Sequence, residues 1–220
     1  LWGFGPGTSS EALPTDDAIA LAMSTVGFSA IDVRESDTVV GSAIQKKAER
    51  YLDLSAIAKG LGVDEVYALL VDLGYSNFLV EIGGEVRVKG DKDGSGWKVA
   101  VEKPVKEDRA VERLLSLKDM ALATSGDYRN YREIEGVAYS HTIDPSTGRP
   151  VTHQLASVTV ADSACAMADG WATTLLILGP TRGYQLAVAK NLPAMFIERI
   201  GDDFLTRETP SFEQLFGGDI

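Results

Sequence analysis

The spacing of apolar residues predicts an α+β protein built on a mainly antiparallel sheet. Two observations carry this expectation. Strand-like runs come in groups joined by short turn segments, as hairpins require, and helix-like runs fall between the groups instead of alternating with single strands. No Gly-x-Gly-x-x-Gly fingerprint follows a strand, so the doubly wound dinucleotide-binding sheet is not expected.

Taken in order, Pro14 to Val26 places Ala18, Ile19, Ala22, Met23 and Val26 at helical spacing, with Thr15 to cap it and Gly27 to stop it. Short β-type runs follow at Phe28–Val33 and Thr38–Lys46. A second helix is predicted from about Lys59 to Leu73, closed by Gly74. Phe78–Ile82, the pair Gly83-Gly84 and Glu85–Lys89 read as strand, tight turn, strand. Trp97–Val101, Val111–Leu117, Met120–Thr124, Val137–Ile143 and Ala156–Val160 are further strands. Ser163 opens a helix running through Leu178, Gly179-Pro180 interrupts it, and Thr181 caps a continuation to about Asn191. Two last strands, Ala194–Arg199 and Phe204–Arg207, precede an acidic end.

With 45% hydrophobic and 24% charged residues, the 220-residue chain has the composition of a globular protein rather than a disordered, collagen-like or coiled-coil one. It reads as a single domain over 1–220. The net charge of −11 is spread, with 18 acidic against 12 basic residues in the first half and 14 against 9 in the second. Nucleic-acid binding is therefore not expected, since the longest basic run is Lys46-Lys47 and phosphate contacts need clustered Lys and Arg. An anionic small ligand would need local Lys groups, backbone N–H donors or a bridging cation. The one cysteine, Cys165, excludes an intramolecular disulfide and reads as a packed thiol. No apolar stretch reaches the roughly 18 residues of a membrane-spanning helix. Leu1-Trp2-Gly3-Phe4-Gly5-Pro6 reads as the middle of a packed protein, so an upstream portion is expected.

Four segments can carry chemistry. Asp53-Leu54-Ser55-Ala56-Ile57-Ala58-Lys59-Gly60 puts small residues and a lysine where a helix begins, which suits a pyrophosphate; the alternative is an ordinary junction with Ser55 as cap and Lys59 in solvent. Ser140-His141-Thr142-Ile143-Asp144-Pro145-Ser146-Thr147-Gly148-Arg149-Pro150 ends a strand in a rigid turn and displays His141, which can serve as a general base or simply be packed. In Asp169-Gly170-Trp171-Ala172-Thr173, Asp169 and Thr173 share a helix face, with Cβ atoms about 5–6 Å apart. Two oxygen donors on an otherwise apolar helix suit a hard cation such as Mg²⁺; alternatively Asp169 faces solvent and Thr173 bonds back to a helical carbonyl. Ala123 to Tyr131 is a polar segment in which Ser125 and Gly126 either line a pocket or start a capped helix.

Together and in this order, these segments strongly resemble the ApbE family of FAD:protein FMN transferases. The resemblance rests on Asp53 to Gly60 with Asp64 after it, Gly83-Gly84, Thr124-Ser125-Gly126-Asp127-Tyr128, Ser140 to Pro145 with Thr147 to Pro150, and Ala168 to Thr173, and covers nearly the whole chain. It implies a fold of two fused T-fold-like units and a reaction that moves FMN from FAD onto a Thr or Ser hydroxyl of a target protein, releasing AMP. FAD as substrate, Mg²⁺ as cofactor and an acceptor protein, such as a subunit of a membrane redox complex, are the implied partners. Mg²⁺ would be held by the carbonyls of Ala56 and Ala172, the Asp169 carboxylate and the Thr173 hydroxyl. FAD would meet Asp53, Lys59 and the backbone at Ile143, with Gly83, Gly84 and Ser125 as further contacts. His141 is the candidate for the hydroxyl proton, and Asp169 the carboxylate on which turnover depends. A periplasmic location, or one on the outer face of the inner membrane through an upstream lipid-carrying leader, is also implied. A metal-dependent FAD pyrophosphatase, a non-catalytic FAD-binding protein and a structural domain without ligand are the rival readings.

Overall fold

The computed structural model describes residues 1–4, 12–35, 41–105, 110–126, 131–134 and 136–218. The Gly83-Gly84 pair sets the geometry of the sheet. Both glycines take positive φ, 62° and 105°, which a two-residue hairpin turn requires and other residues resist. The turn joins β3 (Phe78–Ile82) to β4 (Glu85–Lys89), with Ile82 opposite Glu85. To this hairpin are added β7 (Ala121–Gly126), β12 (Leu155–Asp162), β13 (Ala194–Ile200) and β14 (Asp203–Glu208), giving an antiparallel sheet in the order β14-β13-β12-β7-β4-β3.

The sheet is buried on both faces. Val158 and Val160 of β12 and Phe196 of β13 pack against α3 (Cys165–Ala189) through Leu175 and Leu176. The alternate residues Ala161, Met195 and Ile197 face the hairpin of β5 (Trp97–Glu102) and β6 (Val111–Leu117), and α4 (Pro210–Phe216). Because side chains alternate along a strand, covering both faces makes β12 and β13 almost continuously apolar. α2 (Ser55–Asp72) joins α3 on the helical face, over β3 and β4. The remaining strands form peripheral antiparallel pairs: β1 (Ile31–Arg34) with β2 (Ala43–Lys46), β8 (Tyr131–Ile134) with β9 (Val137–Ser140), and β10 (Ile143–Asp144) with β11 (Arg149–Pro150).

The α+β expectation holds, and most elements lie where the pattern put them. α1 (Asp16–Met23) is capped by the Thr15 side chain, as expected. α2 begins at Ser55 rather than Lys59, because the Asp53 carboxylate accepts the Ser55 N–H at 2.8 Å and starts the helix there. Gly74, at φ 86°, ends it, and Tyr75 N–H closes onto Leu70 O. Val137–Ile143 is two strands, since Ser140 Oγ accepts from Thr142 N and breaks the extended run. Gly179, at φ 78° and ψ −179°, breaks the helical geometry inside α3 ahead of Pro180. Ser125 and Gly126 complete β7 instead of starting a helix, while Asp127 and Tyr128 lie outside the described residues, as does Thr38–Val40 of the second predicted strand. The sequence pattern assigns no strand at β8 and no helix at α4; Thr209 caps α4 onto Phe212, and Phe212 and Phe216 bury against the sheet. Among the described residues no helix is long and apolar enough to cross a membrane.

Candidate functional site

α2 and α3 meet at a residue without a side chain. A Cβ on Gly60 would lie 2.4 Å from Cys165 O and 2.7 Å from Ala166 Cα, so the contact exists only with glycine. At this point each helix lends the other a carboxylate. Asp64 on α2 accepts the N–H groups of Cys165 and Ala166, both at 2.9 Å, and satisfies the exposed first turn of α3. Asp169 on α3 accepts the Gly60 N–H at 3.0 Å. Arg87, 2.6 Å from Asp64 and stacked 3.9 Å over Tyr67, holds the first of these carboxylates from β4. Asp169 is thus buried at 3% exposure and does not face solvent. Burial raises its pKa against the opposing effects of the Gly60 N–H and Lys59.

One turn on, Thr173 lies 2.9 Å, oxygen to oxygen, from Ser125 at the end of β7. It is Thr174, not Thr173, that bonds back along the helix, to Gly170 O. Asp169, Thr173 and Ser125 open onto a cavity of about 920 Å³, at the upper end of the 300–1,000 Å³ typical of small-molecule sites. Asp53, Ala56, Lys59, Gly83, Gly84, His141 and Ile143 line the same cavity. Every candidate residue except Ala172 therefore converges on one space; Ala172 is wholly buried and packs with the α3 core. His141 follows β9, its ring edge-on to Phe4 at 6.3 Å. The turn after it is built as its sequence demands: Asp144 accepts from Ser146 N at 2.8 Å and Ser146 Oγ at 2.7 Å, which holds its pKa below the usual range. Asp53 is likewise held low by its bonds from Ser55.

Two carboxylates of the cavity wall, Glu81 and Glu102, and a third buried behind Lys59, Glu85, have no place in the sequence expectations. Glu81 accepts the Gly84 N–H at 2.7 Å, and Glu102 lies on the wall contributed by β5. Glu85 is 1% exposed, and its Oε1 stands 2.6 Å from Lys59 Nζ, so Lys59 is paired rather than free in solvent. Burial raises the Glu85 pKa; Lys59 opposes this and Asp169 adds to it. The signal for Glu85 was its alternation with Arg87 and Lys89 against Val86 and Val88, which reads as a solvent face until α2 covers it. Cys165 is fully buried, its thiol pushed up to about 12 by that burial, and it is a packing residue.

A model of the ApbE family matches residues 1–196. The chain belongs to the ApbE family. It is 44% identical to the FAD:protein FMN transferase of Vibrio cholerae over 215 residues, 97% of this chain and 63% of that one. To the protein of the same name from Haemophilus influenzae it is 42% identical, covering 98% of this chain and 62% of that one. The chain thus spans under two thirds of the length of these relatives. The apo form of the Pseudomonas stutzeri flavinyl transferase ApbE superposes with a TM-score of 0.87 at 40% identity, covering 100% of this chain and 67% of that one. The Vibrio cholerae flavin transferase ApbE gives 0.85 at 41%, covering 98% and 67%. The mixed helical and antiparallel architecture is the one these ApbE structures share.

Proposed function

We propose that this chain carries the reaction site of a Mg²⁺-dependent FAD:protein FMN transferase, which moves FMN from FAD onto a Thr or Ser hydroxyl of an acceptor protein and releases AMP. The observation that carries the reading is the convergence of Lys59, Asp169, Thr173 and Ala56 on a cavity of dinucleotide size. Its likeness to proteins named for that activity supports it. Among the described residues the walls present Asp53, Glu81, Glu102 and Asp169 against one cation, Lys59. A pyrophosphate entering this acidic lining is favoured by a counter-cation.

The residues present fit Mg²⁺. The donors that line the cavity are hard oxygens, the Asp169 carboxylate, the Thr173 hydroxyl and the Ala56 carbonyl, few enough to leave positions for phosphate and water, while Ala172 lies in the α3 core outside the lining. Whichever hydroxyl of the Ser125–Thr173 pair donates, Thr173 Oγ1 keeps a lone pair for a cation. Bound Mg²⁺ supplies neutralisation of charge on the phosphate oxygens.

Lys59 offers its ammonium to the anionic substrate from the cavity lining. The small residues Ala56, Gly83 and Gly84 let that substrate approach the backbone. The acceptor oxygen bonds to the FMN phosphorus as the phosphoanhydride P–O bond breaks; its electron pair leaves with AMP, and His141 takes the hydroxyl proton. A location outside the cytoplasm belongs to the same reading, with cell fractionation as its check.

Incubation with FAD and Mg²⁺, with and without an acceptor protein, tests the proposal through AMP release and the intact mass of the acceptor. AMP with an FMN-sized mass gain is the expected result. AMP with free FMN alone would make the protein a pyrophosphatase, and intact FAD would reduce it to a binding protein.

A further inference from the structure

Glu85 is an expensive residue for this fold. Its carboxylate is 1% exposed, one oxygen is engaged by Lys59 at 2.6 Å, and the other, Oε2, is buried with no hydrogen-bond partner among the described residues. A buried carboxylate that is paired with a half-exposed lysine and keeps an unsatisfied oxygen returns little net stability, because its desolvation offsets the attraction. Its placement nonetheless joins three features of the cavity. Glu85 follows the Gly83-Gly84 turn directly, a Cβ on Gly83 would sit 3.4 Å from Lys59 Cδ, and the charge of Asp169 is felt at Glu85. The turn thus packs beside the lysine stem, and Glu85 anchors the ammonium at its end. Lys59 is otherwise half exposed, on a flexible four-carbon stem.

We propose that Glu85 is a positioning residue: from behind the cavity wall it tethers the Lys59 ammonium, so that the cation meets the substrate phosphate in one place. This rests on the transferase reading above. Removing the tether leaves Lys59 charged but mobile, which slows the chemical step more than it weakens substrate binding.

The test is a double-mutant cycle on the full chain, with FAD and Mg²⁺, following AMP release. Lys59→Met should lower kcat about 100-fold, the scale of losing one electrostatic stabiliser. Glu85→Gln should lower it about tenfold with the FAD KM within threefold, and the double variant should be no slower than Lys59→Met within threefold. Losses that multiply in the double variant, or wild-type kcat in Glu85→Gln, overturn the proposal. Should Glu85→Gln melt early, Glu85→Asp keeps the charge one methylene short and should fall between it and wild type. Independently of turnover, the slowly exchanging ammonium resonance of Lys59 in ¹⁵N-labelled protein should be seen in wild type and lost in Glu85→Gln; an unchanged resonance also overturns the tether. Wild type that releases no AMP fails the transferase reading, and the resonance then still decides whether Glu85 holds Lys59.

Discussion

At the residue scale, Asp169 serves two partners that pull its ionisation in the same direction. Its Oδ2 completes the buried hydrogen bond from Gly60, and its charge is the side-chain carboxylate offered to a cation in the proposed site. Truncation to alanine would leave the Gly60 N–H unsatisfied, costing about 1–3 kcal/mol, and would mix a folding defect with the loss of metal binding. Asp169→Asn separates the two. The amide oxygen still accepts from Gly60, so the melting temperature should stay within a few degrees, while Mg²⁺-dependent AMP release falls by about 100-fold or more. Activity near wild type in this variant would remove Asp169 from the metal site. The pair Ser125 and Thr173 shows the same economy, since one hydrogen bond both joins β7 to α3 and holds the threonine side chain at the cavity.

At the scale of elements, the site is a junction of two helix starts. Asp64 of α2 caps α3, and Asp169 of α3 bonds back to α2. The two segments, Ser55 to Gly60 and Ser163 to Gly170, look only faintly alike as sequence, each a run of small residues opening a helix. Their meaning is the close crossing that small residues permit. Gly60→Ala therefore puts a methyl group into backbone atoms that have no room to retreat. It should destabilise the protein by about 2–3 kcal/mol in urea unfolding and reduce turnover further by parting Asp169 from its partner. Tolerance of alanine, with an unchanged unfolding midpoint, would mean that the helices can separate without consequence. The Gly83-Gly84 turn is the second device at this scale, since its positive φ values reverse the chain beside the Lys59 stem.

At the scale of the whole molecule, a net charge of −11 and an acidic cavity repel the anion proposed to enter it. FAD affinity should therefore depend on the divalent cation. Measured by flavin fluorescence, the Kd for FAD should rise at least tenfold when EDTA removes the metal, equivalent to about 1.4 kcal/mol, and recover on adding Mg²⁺. Equal affinity in EDTA would mean that Lys59 and backbone N–H groups suffice. The sheet itself was legible in the sequence because its period-2 runs and turn residues are local signals: β3, β4 and β6 have the bounds the pattern predicted. The peripheral elements were not. α4 is a seven-residue helix whose evidence of burial comes only from the sheet it covers, and β8 acquires extended structure by pairing with β9.

The sequence by itself determined the α+β class, the turn glycines, the capped helices and the inventory of groups able to handle a flavin nucleotide and a cation, because backbone preference and side-chain chemistry are properties of short segments. Only the tertiary structure decided which of those groups share a space. Lys59 and Glu85 are 26 residues apart in sequence, and Gly60 and Asp169 are 109 apart. Such pairings depend on how closely α2 can approach α3 and which face of β4 the helix covers, and no local pattern encodes either distance.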